Sequence, residues 1–243
     1  MRLRVVLVLL LLCAAAARGQ GVSTTIVPVV GNVTGVPGRW LTDVEIANSG
    51  SVDLDVALEL PAVPAAAPMF FTLSPGQVQR FPDIVGQAFG LPHAISPLRI
   101  TTNSRRGIAV RAQAYPMTLP DAPRQPLDVY DGDVWFPVRV LDGLAFSDTH
   151  RTNIGLVNLG TRPAEFTLAL QRIPGRTIAV THLRVEPESL RHDAIQALFP
   201  LITAGSGFSV VVESGVRDTY VYASVIESAT SAGKFITPRV GAR

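Results

Sequence analysis

Three carboxylates lie close together around a glycine in the middle of the sequence. Asp128, Asp131 and Asp133 flank Gly132, and oxygen ligands of this kind suit a hard cation such as calcium. The spacing differs from that of the EF-hand loop, and the glutamate that closes that loop is missing. We therefore expect a solvated acidic segment here, with a calcium site between two domains as the alternative.

A second candidate site is aromatic. Tyr220 and Tyr222 are two positions apart, so both side chains project from one face of a strand. The opposite face of that strand carries apolar residues, namely Val221, Ala223 and Val225. An exposed tyrosine pair is suited to bind a glycan or a protein partner. Packing of the two rings against neighbouring strands is the structural alternative.

No motif for catalysis or cofactor binding is visible. The sequence contains no G-x-S-x-G elbow, P-loop or dinucleotide fingerprint. The histidines lack zinc-ligand spacing; they are His93, His150, His182 and His192. A triad built from distant residues stays open, because serine, histidine and aspartate are all present. We expect a protein that is not an enzyme and that has no cofactor.

The strongest pattern is a repeat at an offset of 110 residues, which joins Thr42 to Thr152 and Asn48 to Asn158. Segment 40–48, WLTDVEIAN, recurs as HRTNIGLVN in 150–158, and DIVGQAF in 83–89 recurs as DAIQALF in 193–199. One offset held across two unlike segments indicates a duplicated domain. Asp43 and Asn48 of this element either face a ligand or shape strand ends and turns. Because both copies carry the element, we favour the structural role.

The elements that must position these residues are strands. Segments 54–60 and 166–170 alternate between apolar and polar residues, and turn residues such as Ser74, Pro75 and Gly76 separate segments of this kind. This alternation predicts half-buried antiparallel strands, and the lack of long helical periods disfavours an α/β fold. Each copy is predicted to be an all-β antiparallel sandwich with one short helix, whose N-cap is Asp83 or Asp193.

Residues 1–20 have the features of a secretory signal peptide. A basic start precedes an apolar run at 5–12, which is too short to span a bilayer, and then small residues. We expect cleavage between about Ala17 and Gly21, and export to the periplasm, envelope or exterior. Cys13 is the only cysteine and lies in the leader. Leu12 disfavours lipidation of Cys13, since a small residue normally precedes a lipidated cysteine.

Charge argues against a nucleic-acid partner. Without Arg2, Arg4 and Arg18, the chain has 18 basic and 19 acidic side chains, so no basic field remains. No other stretch approaches twenty apolar residues, so we expect no transmembrane span in the mature chain. Lys234 is the only lysine among 21 basic residues, which indicates GC-rich coding and a bacterial source.

Proline is concentrated between the two copies. Four prolines in residues 116–126 favour an extended and semi-rigid connection. The expected organisation is a signal peptide at 1–20, a sandwich at 21–118, a proline-rich linker at 119–133 and a second sandwich at 134–243.

Several of these segments resemble a known group of proteins. The repeated element at 40–48, Leu73-Ser-Pro-Gly76 and the closing Tyr222-Ala-Ser-Val-Ile226 are similar to uncharacterised secreted bacterial proteins with tandem immunoglobulin-like β-sandwich repeats. The resemblance implies an extracytoplasmic adhesion, scaffold or cell-surface role. The second copy departs from the first, with His150 in place of Trp40 and Glu188 in place of Gly76.

We therefore expect a non-catalytic exported module that binds a protein or glycan partner. A carbohydrate-binding module that uses Tyr220 and Tyr222 is the second hypothesis. A secreted hydrolase with a dispersed triad is the third.

Overall fold

A computed structural model describes residues 21–35, 38–118, 123–132, 134–172, 175–228, 230 and 232–241. The predicted signal peptide, with Cys13, lies outside these residues. Strands make up most of the described chain, and every strand pairing in it is antiparallel. The all-β prediction is therefore confirmed.

The N-terminal strands form one sheet. Its strands are β1 (Ser23–Gly35), β2 (Gly38–Asn48), β3 (Leu54–Glu59), β4 (Met69–Leu73), β5 (Val78–Phe81), β6 (Ala94–Thr102), β7 (Ile108–Pro116), β8 (Gln125–Leu127) and β9 (Tyr130–Asp131). The order is β4-β3-β6-β1-β2-β7-β8, with β5 paired to β2 and β9 paired to β1. A register shift between Val27 and Val30 interrupts the pairing of β1 with β6. Irregularities of this kind, called β-bulges, bend the strand that contains them.

The C-terminal strands form two sheets. They are β10 (Val138–Phe146), β11 (His150–Asn158), β12 (Ala164–Arg172), β13 (Arg176–Val185), β14 (Ser189–Ala194), β15 (Gly205–Glu213), β16 (Thr219–Glu227), β17 (Gly233–Ile236) and β18 (Arg239–Val240). One sheet has the order β13-β12-β15-β10-β18, and the other has the order β14-β11-β16-β17.

The two sets of strands pair in the same order. The run β4-β3-β6-β1 matches β13-β12-β15-β10, and the run β5-β2-β7-β8 matches β14-β11-β16-β17. The elements with the shared sequence pattern, β2 and β11, hold equivalent places in these runs. The offset of the sequence repeat is thus matched by the hydrogen-bonding pattern of the strands.

Each set of strands encloses its own apolar cluster. Alternate positions of β3 and β12 point inward, as their sequences predict. The largest members of the N-terminal cluster include Ile46, Leu58 and Ile100, and those of the C-terminal cluster include Phe166, Leu141 and Phe208. Burial of apolar area, at roughly 25 cal/mol per Å², is thus the main stabilising contribution in both halves.

One short helix closes each set. In α1 (Ile84–Phe89), the Asp83 carboxylate accepts a hydrogen bond from Gly86 N, as predicted, and Ile84 and Val85 are buried. The matching prediction for the second copy is wrong. In α2 (Ile195–Leu198) the N-cap is Ala194 and makes no side-chain cap hydrogen bond. Asp193 instead belongs to β14, where its carboxylate pairs with Arg191.

The repeated asparagines fasten strand ends together. Asn48 donates from Nδ2 to the carbonyls of Val52 and Leu73, both at 2.8 Å, and its Oδ1 accepts from Gly50 N. Asn158 makes the same three bonds, to Arg162 O, Val185 O and Gly160 N. Neither asparagine has a positive φ, so its side-chain bonds, rather than a left-handed backbone, account for its presence in both copies.

The repeated threonines have a matching role. Thr42 Oγ1 accepts from Gly31 N and donates to Gly31 O, and Thr152 Oγ1 does the same with Ala145. Each hydroxyl thus satisfies both backbone groups of one residue on the strand opposite. The structural interpretation of the repeated threonine and asparagine is confirmed.

The predicted linker is partly sheet. Residues 125–127 pair with β7 and residues 130–131 pair with β1. Pro126 lies in an edge strand, where its missing N–H costs no hydrogen bond in the sheet. Residues 119–122 and Asp133 lie outside the described residues. The described part of this segment is thus held against the N-terminal sheet, which differs from the expected spacer.

Replacing Asn48 or Asn158 by alanine leaves one buried carbonyl, one partly buried carbonyl and one N–H without their partner. Because unsatisfied buried groups cost about 1–3 kcal/mol each, we expect each variant to lose roughly 3 kcal/mol of unfolding free energy in urea. Ser51→Ala, at an exposed position of the same turn, is the control. Equal stability of Asn48→Ala and Ser51→Ala would contradict this role.

Candidate functional site

A third apolar cluster joins the two halves. The N-terminal strands supply Ile26, Val29 and Tyr130, and the C-terminal strands supply Val157, Leu159, Leu190, Tyr220, Tyr222 and Phe235. The C-terminal members come mainly from the outer face of the sheet β14-β11-β16-β17, whose inner face carries Ile154, Leu156, Val221 and Ala223 in the core. We call this contact the junction. It buries a sheet face that would otherwise meet water.

Tyr220 and Tyr222 lie within the junction. Their side chains share one face of β16, as predicted, but they are only 5% and 1% exposed. The expectation of an exposed pair is therefore corrected: the N-terminal strands cover the rings. Tyr220 packs against Tyr130, with ring centroids 5.5 Å apart, and Tyr222 stacks on Phe235 at 5.2 Å. Aromatic pairs of this kind contribute about 1 kcal/mol beyond area burial.

Polar contacts also cross the junction. Thr237 Oγ1 donates to Asp128 Oδ1 at 2.7 Å, and Arg99 forms an ion pair with Glu188 at 3.3 Å. Glu188 has a φ of 51°, in the left-handed region that its counterpart Gly76 also occupies but that a side chain normally disfavours. The strained glutamate thereby places a carboxylate beside the N-terminal sheet.

Beside the junction cluster, residues of the two halves form a cavity of about 400 Å³ that is partly open to solvent. This volume is within the range of roughly 300–1,000 Å³ that small-molecule sites occupy. Residues of both halves line it. They are Val29, Gly31, Val33, Thr34, Gly35, Trp40, Leu41, Thr42, His93, Ile95, Ala114, Gln125 and Leu127 from the N-terminal strands, and Arg151, Asn153, His192, Tyr222, Ser224, Ile226 and Phe235 from the C-terminal strands.

Two N–H donors of residues that line the cavity have no hydrogen-bond partner among the described residues. They are Trp40 Nε1 and Gln125 Nε2, and Gln125 is only 4% exposed. A buried donor without a partner costs about 1–3 kcal/mol, so folded proteins rarely keep one without a reason. Both atoms are covered by neighbouring groups, so a molecule in the cavity would reach them only after a side chain moves.

The C-terminal wall carries a buried histidine. His192 Nδ1 lies 2.8 Å from the Tyr222 hydroxyl, to which it is hydrogen-bonded. Burial lowers the pKa of His192, Asp193 opposes this effect, and the positive charge of Arg151 adds to it. Burial likewise raises the pKa of the Tyr222 phenol far above its ordinary value. Both groups are therefore neutral near pH 7.

Arg151 and Asn153 project into the cavity from one face of β11. They are two residues apart and pair with Ile226 and Ser224 of β16. Burial lowers the pKa of Arg151, although a guanidinium keeps its charge at neutral pH. The cavity thus holds a cation in a partly desolvated setting.

The predicted calcium residues are engaged differently. Asp128 accepts hydrogen bonds from Tyr130 Oη at 3.1 Å and from Thr237 Oγ1 at 2.7 Å. Asp131 is exposed and pairs with Thr25 in the sheet, and Asp133 lies outside the described residues. In the described part of the chain, no group of three or more histidine, cysteine, aspartate or glutamate side chains is arranged to hold a metal.

Asp43, the other candidate from the repeat, is held by arginines. Its carboxylate accepts from Arg80 at 2.5 and 3.2 Å and from Arg124 at 2.7 Å. It is therefore committed to ion pairs that join β2 to β5 and to the segment before β8. Its counterpart in the second copy, Asn153, lines the cavity instead.

Comparison with known proteins adds no identity. No protein-family profile matches the chain, and no curated protein has significant sequence similarity to it. Within the described ranges, no helix is both long enough and apolar enough to cross a membrane.

No sequence pattern predicts that the cavity residues come together. Trp40 and Arg151 lie in the two copies of the repeated element, but the repeat does not show that they face the same space. The period-two pattern places Tyr222 on the outer face of its strand, and Gln125 belongs to no motif. Their proximity depends on how the two halves pack, which no local pattern in the sequence describes.

Gly155 leaves room for the Tyr222 ring. A Cβ at this position would overlap ring atoms of Tyr222. We expect Gly155→Ala to displace the ring and to lower the unfolding free energy by about 1–3 kcal/mol, as overpacking does. Gly215, whose added Cβ would contact nothing, provides the control variant Gly215→Ala. Equal melting temperatures of the two variants would contradict tight packing at the junction.

The neutral His192 predicts a pH dependence. Its pKa is lower in the folded protein than the ordinary value of 6.5, so the unfolded chain binds the proton more readily. The free energy of unfolding should therefore fall as pH decreases below about 6.5. We expect His192→Gln to reduce this slope between pH 7.5 and 5.5, measured by urea unfolding.

His182 provides the matched control for this measurement. It is exposed, and its Nδ1 is hydrogen-bonded to Thr167. His182→Gln should keep the slope of the unmodified protein. A slope that is the same for both variants would show that His192 does not contribute.

Proposed function

We propose that this chain is a non-catalytic, exported binding module of the bacterial envelope or exterior. It consists of two tandem immunoglobulin-like β-sandwich domains, and the cavity between them is its recognition site. The junction keeps the two domains at a fixed relative position, so that both walls of the cavity are in place before a ligand arrives.

The shared strand order supports the tandem arrangement. Equivalent strands carry equivalent side-chain clamps, with Thr42 and Asn48 in one set and Thr152 and Asn158 in the other. Such agreement between sequence offset and pairing is expected of a duplicated domain. The secreted, adhesive or scaffolding role rests on the leader-like residues 1–20 and on the resemblance of the repeated segments.

The observation that carries the binding proposal is the cavity of about 400 Å³ between the two halves, whose lining combines apolar side chains with polar ones such as Asn153 and His192. His192 is bonded to Tyr222, which supports a role in holding the wall rather than in activating a nucleophile.

A glycan is the second candidate ligand, but its binding site would differ from the exposed tyrosine pair that the sequence indicates. The tyrosine rings are covered, so a sugar would have to enter the cavity, where the indole of Trp40 lines the wall. Aromatic rings and N–H donors together suit a single sugar ring. A protein partner would insert one side chain in the same way.

A fluorescent probe tests whether the cavity takes ligands. We expect the neutral naphthalene dye prodan to bind with saturable one-to-one stoichiometry and a blue-shifted emission, because the cavity has apolar walls. Ala114→Phe places a ring in the cavity and should abolish binding. Ala109→Phe adds the same ring at an exposed position of the same strand and should leave binding unchanged.

Thr34→Trp keeps this test decisive if Ala114→Phe fails to fold. Thr34 is exposed and also lines the cavity, so a larger side chain there obstructs the entrance without repacking the core. Prodan binding that survives both variants, or that never saturates, would reject the cavity as the recognition site. Labelling of one serine by a fluorophosphonate probe would reject the non-catalytic assignment.

A further inference from the structure

The C-terminal half has an edge strand that is longer than its counterpart in the N-terminal half. β13 spans ten residues and, among the described strands, pairs only with β12. The counterpart β4 spans five residues, and segment 60–68 before it lies outside the sheet. At the offset of 110, residues 170–172 and 176–178 instead extend β12 and β13. The C-terminal half therefore presents a longer row of backbone N–H and C=O groups at a free edge.

Segment 60–68 covers apolar surface in the N-terminal half. Val63 and Ala66 pack against the N-terminal cluster, as does Leu91. Ala62 N donates a hydrogen bond to Ser96 Oγ at 3.1 Å, and Ser96 is buried. This end of the N-terminal strands is thus closed by the chain itself.

The equivalent place in the C-terminal half is open. Leu201 and Ser206, the counterparts of Leu91 and Ser96, are both exposed, Leu201 to 95%. A groove of about 460 Å³ lies here between β13 and the segment that follows α2. The exposed apolar side chains that line it are Ile178, Val180 and Leu201. Exposed apolar side chains that lie together mark an interaction surface.

The charges along β13 allow the strand to complement a second strand of the same sequence. Its exposed even-numbered positions are Arg176, Ile178, Val180, His182 and Arg184, and Glu186 follows the strand. In an antiparallel pair centred on Thr181, Arg176 of each strand lies opposite Glu186 of the other. A pair centred on Val180 would place Arg176 opposite Arg184, and like charges directly opposite destabilise a pair. Charge therefore favours the register centred on Thr181.

We propose that β13 is a dimerisation edge, at which a second molecule of this chain adds its own β13 in antiparallel pairing. Two five-stranded sheets would then form one continuous sheet about a twofold axis at Thr181. Such a contact uses the same surface on both molecules and closes with two chains. The inference is independent of the cavity between the two halves.

Three interactions support this dimer, and they have different roles. Backbone hydrogen bonds along the paired edges supply affinity, as in other cases of strand addition. The Val180 side chains of the two molecules are diagonal neighbours in this register, so they shield each other from water. Glu186 already pairs with Arg184 of its own chain at 2.8 Å, and Arg176 of the second molecule would be its second partner. Exposed ion pairs add little affinity, so this contact mainly selects the register.

Sedimentation equilibrium of the whole protein tests whether the dimer forms. We expect the mean mass to rise from that of one chain to that of two as protein concentration increases. Val180→Lys should weaken dimerisation by about tenfold or more, because it removes the apolar contact and places a cation opposite His182 of the second molecule. A single-chain mass at every concentration would overturn the inference.

Val78→Lys is the matched control. Val78 is 55% exposed, against 53% for Val180, and it lies in β5, which pairs with β2 alone among the described strands. This variant should dimerise like the unmodified protein. Equal weakening by both variants would show a general effect of added charge and overturn the assignment to β13.

A disulfide cross-link tests the register. In a Cys13→Ala background, a variant with one added cysteine has no other cysteine. Thr181→Cys should give a disulfide-linked dimer on mild oxidation, since the two copies of a residue on the twofold axis lie within disulfide reach. Thr177→Cys, in the same strand, should stay uncoupled, because its two copies would lie roughly 26 Å apart at about 3.3 Å per residue. Equal coupling of both variants would overturn this register.

Charge exchange provides an independent test of the same register. Arg176→Glu places two carboxylates opposite each other at both ends of the paired strands, so we expect several-fold weaker dimerisation. Adding Glu186→Arg should restore the dimer, because opposite charges face each other again. A double variant that dimerises no better than Arg176→Glu alone would contradict the pairing of these two residues.

Discussion

Burial of the Tyr222 ring between its own sheet and the N-terminal strands is the contact on which the arrangement of the two halves depends. The ring stacks on Phe235 and meets His192, and it occupies space that Gly155 leaves open. Without this ring, the outer face of the sheet β14-β11-β16-β17 would lose a central apolar contact of the cluster that holds it against β1. The cavity lies beside this cluster, and its lining includes Val29, which is within the register shift of β1.

The two copies use the same framework for different purposes. Thr42 and Thr152, like Asn48 and Asn158, make the same bonds, because the two sets of strands have the same pairing order. Position 43 and its counterpart 153 have diverged. Asp43 is held by Arg80 and Arg124, whereas Asn153 faces the cavity. Neither residue belongs to the apolar clusters, so a change at this position does not disturb the core.

Local patterns in the sequence predict the strands well and the site poorly. The alternation in Leu54–Glu59 and Ala164–Arg172 gives the correct buried faces, since one side of each strand must enter an apolar core. The same alternation places Tyr220 and Tyr222 outward, but it does not say whether water or another domain lies there. The predicted N-cap at Asp83 is correct. The predicted N-cap at Asp193 is wrong, because the pairing of β14 with β11 extends through that residue. The short strands at 125–127 and 130–131 were not predicted, because the prolines of this segment indicate an extended spacer.

The covered tyrosine face has a consequence for any attempt to divide the protein. A gene fragment that begins at residue 134 would produce the C-terminal strands without Ile26, Val29 and Tyr130. It would expose Tyr220, Tyr222, Leu190 and Phe235 together. Large exposed apolar patches promote association, so this fragment would self-associate, whereas the same fragment with charged substitutions on that face would stay dispersed. A fragment boundary chosen from the sequence repeat alone would thus separate two surfaces that together form one buried apolar cluster.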